Sequence, residues 1–145
     1  MSDEGNGIGS GEMKPAVPAG RPFRVLVVDD DKDVATSIVR ALECLGHTAT
    51  NCGHAQEALE VIARQSFDLL LVDYRMPDMT GLDLITLLRE EGRKIPAIMM
   101  TGHFATGDRV RVEQLGISTI LRKPISLPML SHALEEQLTA TRAAA

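Results

Sequence analysis

Five polar residues stand where short apolar runs end. Asp29 and Asp30 follow Val25-Leu26-Val27-Val28, Asp73 follows Leu69-Leu70-Leu71-Val72, Thr101 follows Ala97-Ile98-Met99-Met100, and Lys123 follows Ile120-Leu121-Arg122. Three carboxylates brought together repel one another and hold their protons more tightly unless a cation offsets them. Mg2+ meets that need, since it takes oxygen ligands in octahedral geometry and shares itself with phosphate. Asp30 and Asp73 suit direct ligation and Asp29 ligation through water, with the backbone carbonyl of Arg75 as a further ligand. The Lys123 ammonium is a mobile point charge suited to a phosphoryl oxygen, and Thr101 adds a hydroxyl donor. Carboxylate, metal, ammonium and hydroxyl around one point make a site for accepting a phosphoryl group on Asp73. Each residue has an ordinary alternative: Asp73 as a turn residue, Asp31 and Asp33 as helix-capping charges, Thr101 at a strand end, Lys123 on the surface. The coincidence of four strand ends favours the combined site.

For these ends to meet, the apolar runs must be neighbouring parallel strands. The run before Asp73 is unbroken and is followed by Met76-Pro77 and Gly81, the signature of a strand buried on both faces that ends in a turn. The other expected strands are 23–28, a weaker edge strand over 47–51, Ala97–Met100 opened by Pro96, and Ser118–Leu121. Between them, apolar residues recur at helical spacing: Val34, Ile38, Ala41, Leu42 and Leu45; Ala55, Ala58, Leu59, Ile62 and Ala63; Leu82, Ile85 and Leu88; Leu127, Leu130, Leu134 and Leu138. A helix over about 105–115 has a poor apolar face in Val110, Val112 and Leu115. Gly46 and Gly116 read as helix stops. Five strands alternating with five helices specify an α/β fold, a doubly wound parallel sheet with right-handed crossovers and helices on both faces. In such a sheet the carboxyl ends of the strands form one ligand-binding rim.

The 145 residues suffice for one domain with a real core. Residues 1–21 hold five of the twelve glycines and little that is apolar, so they read as a flexible leader, with a domain over 22–140 and a polar tail over 141–145. A net charge of −5 without a basic cluster, and only 3% aromatics, argue against a nucleic-acid surface. No apolar run is long enough for a membrane span and none reads as a signal peptide, so a cytoplasmic place is expected. Cys44 and Cys52 lack metal-type spacing and are expected to be buried, reduced thiols. The four histidines form no metal motif.

Val27-Val28-Asp29-Asp30-Asp31, Val72-Asp73-Tyr74-Arg75-Met76-Pro77-Asp78-Met79-Thr80-Gly81, Met100-Thr101-Gly102 and Leu121-Arg122-Lys123-Pro124 together resemble the receiver domain of two-component response regulators, over roughly residues 22–140. The resemblance implies the flavodoxin-like strand order 2-1-3-4-5 and a signalling phosphoacceptor, not an enzyme. It implies that Asp73 takes phosphate from a sensor histidine kinase or histidine phosphotransfer protein. Asp29 and Asp30 would form the acidic Mg2+ pocket, Thr101 and Lys123 would sense the phosphoryl group, and the Lys123–Pro124 bond would be cis. The downstream protein partner is not named by the sequence, and a homodimer is one form open to the phosphorylated state. The family usually has an aromatic three residues before the lysine, where this chain has Ile120; that aliphatic side chain is expected to stay buried, so the aromatic switch cannot work in its usual form. Two other readings compete. A haloacid-dehalogenase-type phosphatase would use Asp29 and Asp31 as its D-x-D pair, although Asp33 stands where that family has Thr or Val. A receiver that binds partners without taking phosphate would not need the complete acidic pocket.

Overall fold

The computed structural model describes residues 22–103 and 108–144. The expected leader over 1–21 lies outside them, as does the stretch 104–107. Chain order is β1 (Arg24–Val28), α1 (Lys32–Cys44), β2 (Thr48–Cys52), α2 (Ala55–Arg64), β3 (Leu69–Asp73), α3 (Gly81–Glu90), β4 (Ala97–Thr101), α4 (Arg109–Gln114), β5 (Ile117–Arg122) and α5 (Leu127–Ala144). The five strands pair in parallel in the order β2-β1-β3-β4-β5, as the resemblance implied.

The sheet is apolar on both faces because it is covered on both. Every residue of the central strands β3 and β4 is buried. Alternate residues then serve opposite layers: Leu26, Val28, Leu70, Val72 and Met99 pack under α2 and α3, while Val25, Val27, Leu69, Leu71, Ile98 and Met100 pack under α1 and α5. At about 1.5–3 kcal/mol for each large side chain taken from water, these layers dominate the favourable side of folding. Helix starts are set by short polar side chains. The Asp31 carboxylate accepts from the backbone N–H groups of Asp33 and Val34 at the head of α1, and Thr80 and Asp83 form a reciprocal capping box at α3. Gly46, with φ of 95°, follows α1 in the left-handed region that stops a helix.

Several boundaries differ from expectation. The edge strands run over Thr48–Cys52 and Ile117–Arg122, because alternating exposed residues mark an edge less sharply than a continuous apolar run does. Described α4 is only six residues long and buries Val112 alone, while Val110 is 62% exposed. α5 continues to Ala144, so the expected tail is helical up to that residue; the sequence there holds no Gly or Pro to break it. Both cysteines are free, but only Cys52 is buried; Cys44 lies exposed at the end of α1. Ile120 is also exposed, at 36%, contrary to the expected burial. It lies on β5, where it pairs with Met99 of β4, and β5 is an edge strand with a neighbour on one side only.

Candidate functional site

Strand register carries the polar residues to one rim. Val28 pairs with Val72, so the next residues, Asp29 and Asp73, emerge side by side. Asp73 pairs with Met100, and Thr101 with Arg122, which brings Thr101 and Lys123 to the same edge. Carboxylate oxygens of Asp29, Asp30 and Asp73 lie within 4.8 Å of one another, with Asp29 and Asp73 buried and Asp30 exposed. Lys123 bridges the buried pair: its Nζ is 2.8 Å from Asp29 Oδ2 and 3.3 Å from Asp73 Oδ2. The other Asp29 oxygen accepts from the Asp31 backbone N–H at 2.9 Å. The Lys123–Pro124 peptide is cis.

The electrostatics follow from this crowding. Burial, then the Asp29 carboxylate, push Asp73 up to about 6, against the pull of Lys123 and the Arg75 backbone N–H. Burial pulls Lys123 down, but the hydrogen bond to Asp29 and the charges of both carboxylates outweigh it and hold the ammonium above its ordinary value. Two buried carboxylates thus share one cation, and a third stands beside them. An all-oxygen donor set short of positive charge fits a hard divalent ion of the Mg2+ kind.

Thr101 reaches the rim, but its hydroxyl is hydrogen-bonded elsewhere than to Asp73. Its buried hydroxyl donates to the His103 carbonyl at 2.8 Å and accepts from the His103 N–H at 3.0 Å, a closed turn. Arg75 is exposed, with its guanidinium carbon 5.7 Å from the centre of the Tyr74 ring. The Asp29–Asp31 pair required of a D-x-D phosphatase is not assembled, because the Asp31 carboxylate caps α1.

Three residues of the loop after Asp73 have roles that the sequence did not disclose. Asp78 accepts from the backbone N–H groups of Ala55 and Gln56 at 3.3 and 3.0 Å, which pins the loop to the start of α2. Gly81 lies so close to β3 that a Cβ there would fall 2.5 Å from the Asp73 carbonyl oxygen. Tyr74 is buried, and its hydroxyl donates to the Asp108 carboxylate just before α4. A turn-type Asp and a Gly opening a helix were the available signals for the first two. Nothing in the sequence paired Tyr74 with Asp108.

Residues 25–135 match the response regulator receiver domain. The response regulator MprA of Mycobacterium leprae is 35% identical over 120 residues, which span 83% of this chain and 53% of that protein. The probable transcriptional regulatory protein TcrX of Mycobacterium tuberculosis is 34% identical over 108 residues, 74% of this chain and 46% of its own length. The chain therefore spans about half the length of these relatives. Among solved structures, a CheY-like response regulator receiver domain protein from Methanospirillum hungatei superposes with a TM-score of 0.80 at 27% identity, covering 86% of this chain and 99% of that one.

Proposed function

This chain belongs to the response regulator receiver family of two-component signalling, and from that premise we propose that Asp73 is its phosphoacceptor, charged by a sensor histidine kinase or a histidine phosphotransfer protein. One observation carries the reading: Asp73 sits beside Asp29 and Asp30 within 4.8 Å while Lys123 reaches it at 3.3 Å. An Asp73 oxygen attacks the phosphorus of the donor phosphohistidine, the N–P bond breaks, and the imidazole keeps the electron pair. Asp29, Asp30, Asp73 and the Arg75 backbone carbonyl would hold Mg2+, which neutralises charge on the phosphoryl oxygens. The Lys123 ammonium then pairs with a phosphoryl oxygen. The Thr101 hydroxyl, held by His103 in the unmodified protein, is the donor that can turn toward another. The chain signals by changing shape and is not assigned turnover of a separate substrate.

The partner side of the reading is coarser. A cytoplasmic place suits a kinase partner, and among the described residues no helix is long and apolar enough to cross a membrane. We assign no nucleic-acid contact to this domain, because the relatives whose names carry transcriptional regulation extend well beyond the matched region. A homodimer of the phosphorylated form and an unnamed downstream protein complete the proposal. Intact mass after incubation with acetyl phosphate and Mg2+ tests it: one phosphate should be gained, and none in Asp73→Asn or without the metal. A gain that persists in Asp73→Asn overturns the assignment.

A further inference from the structure

α4 is held in an unusual way. Its only buried residue is Val112, and among the described residues no side chain caps its first turn. Polar contacts hold it instead. Arg111 Nη2 donates to Asp83 Oδ1 at 2.8 Å and to Thr86 Oγ1 at 3.1 Å, both on α3. Arg89 Nε donates to the Leu115 carbonyl at 2.8 Å, at the helix end. The start is held by the Asp108 carboxylate, which accepts from the Tyr74 hydroxyl and so leaves the helix uncapped by its own N-cap residue. That hydrogen bond, then burial, hold the phenol above its ordinary pKa.

Tyr74 directly follows Asp73. Its N–H donates to the Met100 carbonyl at 2.8 Å, one residue before Thr101, and its carbonyl accepts from Gly81 at 2.8 Å. The Tyr74 backbone is therefore fixed between β4 and α3, and its side chain is the arm that joins the phosphoacceptor strand to α4. The arm ends on the Asp108 carboxylate, and at the same rim the Thr101 hydroxyl is held by the backbone of His103. A phosphoryl group on Asp73 adds negative charge at the root of the arm. It also competes for the Thr101 hydroxyl and for Arg75, which rests over the Tyr74 ring.

We propose that the Tyr74–Asp108 hydrogen bond is a latch on the start of α4 in the unmodified protein, which phosphorylation at Asp73 opens; Tyr74 is then the positioning residue that transmits the state of the site. This rests on the phosphoacceptor reading above. It gives the chain a coupling residue on the loop after β3, in place of an aromatic at the position of Ile120.

Amide hydrogen exchange of residues 109–115 tests the latch in the full chain, with and without beryllofluoride and Mg2+. Tyr74→Phe keeps the ring and its packing, and Asp108→Ala removes no cap bond. Each should speed exchange in α4 about tenfold, the scale of one hydrogen bond to a charged group. The double variant should be no faster than either single one, since both break the same bond. Beryllofluoride should speed the wild-type exchange and leave the variants unchanged. Unchanged exchange in both single variants, or additive effects, overturns the latch while leaving the phosphoacceptor reading intact. Faster exchange in the variants with a wild type that binds no beryllofluoride overturns the phosphoacceptor reading, and the opening step with it.

Discussion

Replacing Asp73 by Asn should make the metal-free protein more stable near neutral pH, not less. Burial and the Asp29 charge lift Asp73 from 3.8 to about 6 in the fold. Between those values the unfolded chain has already ionised this group while the folded chain still holds its proton. Stability therefore falls as pH rises through the window and stays lower above it. A gap of roughly two units sets an upper limit of about 3 kcal/mol. That shift already includes the pull of Lys123 at 3.3 Å, and Lys123 keeps Asp29 at 2.8 Å in the variant. A net gain of roughly 1–3 kcal/mol remains, or about 3–10 °C in melting temperature for a domain of this size. Urea unfolding of both proteins in a chelator from pH 3.5 to 8 measures it. The two stability curves should meet below about pH 4, part between pH 4 and 6, and run parallel above. Added Mg2+ should then stabilise the wild type more than Asp73→Asn. A variant less stable than wild type at pH 7, or a gap that does not change with pH, would refute the reasoning.

Gly81→Ala would place a Cβ 2.5 Å from the Asp73 carbonyl oxygen and 2.9 Å from Val72 Cγ1; a loss of about 1–3 kcal/mol in urea unfolding and slower phosphorylation are expected. His47 accepts from the Phe23 N–H through Nδ1 at 3.0 Å, and its Nε2 has no partner among the described residues. Burial lowers its pKa, so its contribution to stability is complete above 6.5 and is lost as pH falls below that value; His47→Leu should lack this acid-side slope in the same unfolding series. Arg75→Ala should lose the phosphoryl group a few-fold faster than wild type if the long side chain, which lies over Tyr74 two residues after Asp73, can turn to cover the acyl phosphate from water. Equal decay rates measured by intact mass would place Arg75 in solvent without a role.

The parts that were legible in the sequence share a physical reason. β3 could be read because a strand covered on both faces has no reason to alternate, and four apolar residues ending at Asp73 leave few other structures. The rim followed from topology, since parallel strands bring all their carboxyl ends to one side. Edge strands and helix ends were less legible, because their residues answer to solvent as much as to the core. Asp78 could be recognised as a turn residue, but its partners are the N–H groups of Ala55 and Gln56, which become neighbours only when α2 packs beside the loop. Ile120 shows how far composition can mislead: an aliphatic residue is buried only where something covers it, and Ile120 lies on the edge strand β5.

The weak apolar face of α4 and its polar tethers have one physical origin. A helix held by a wide apolar stripe resists local changes in charge, since non-directional burial is lost only by moving the whole element. Each hydrogen bond to a charged group in the α4 set depends on one geometry and one ionisation state, so a new charge nearby can undo it. Arg111–Asp83 and Tyr74–Asp108 are both of that kind; the first reaches the start of α3 and the second the residue that follows Asp73. With one buried side chain as its apolar anchor, α4 is the described helix whose position a phosphoryl group can most readily alter.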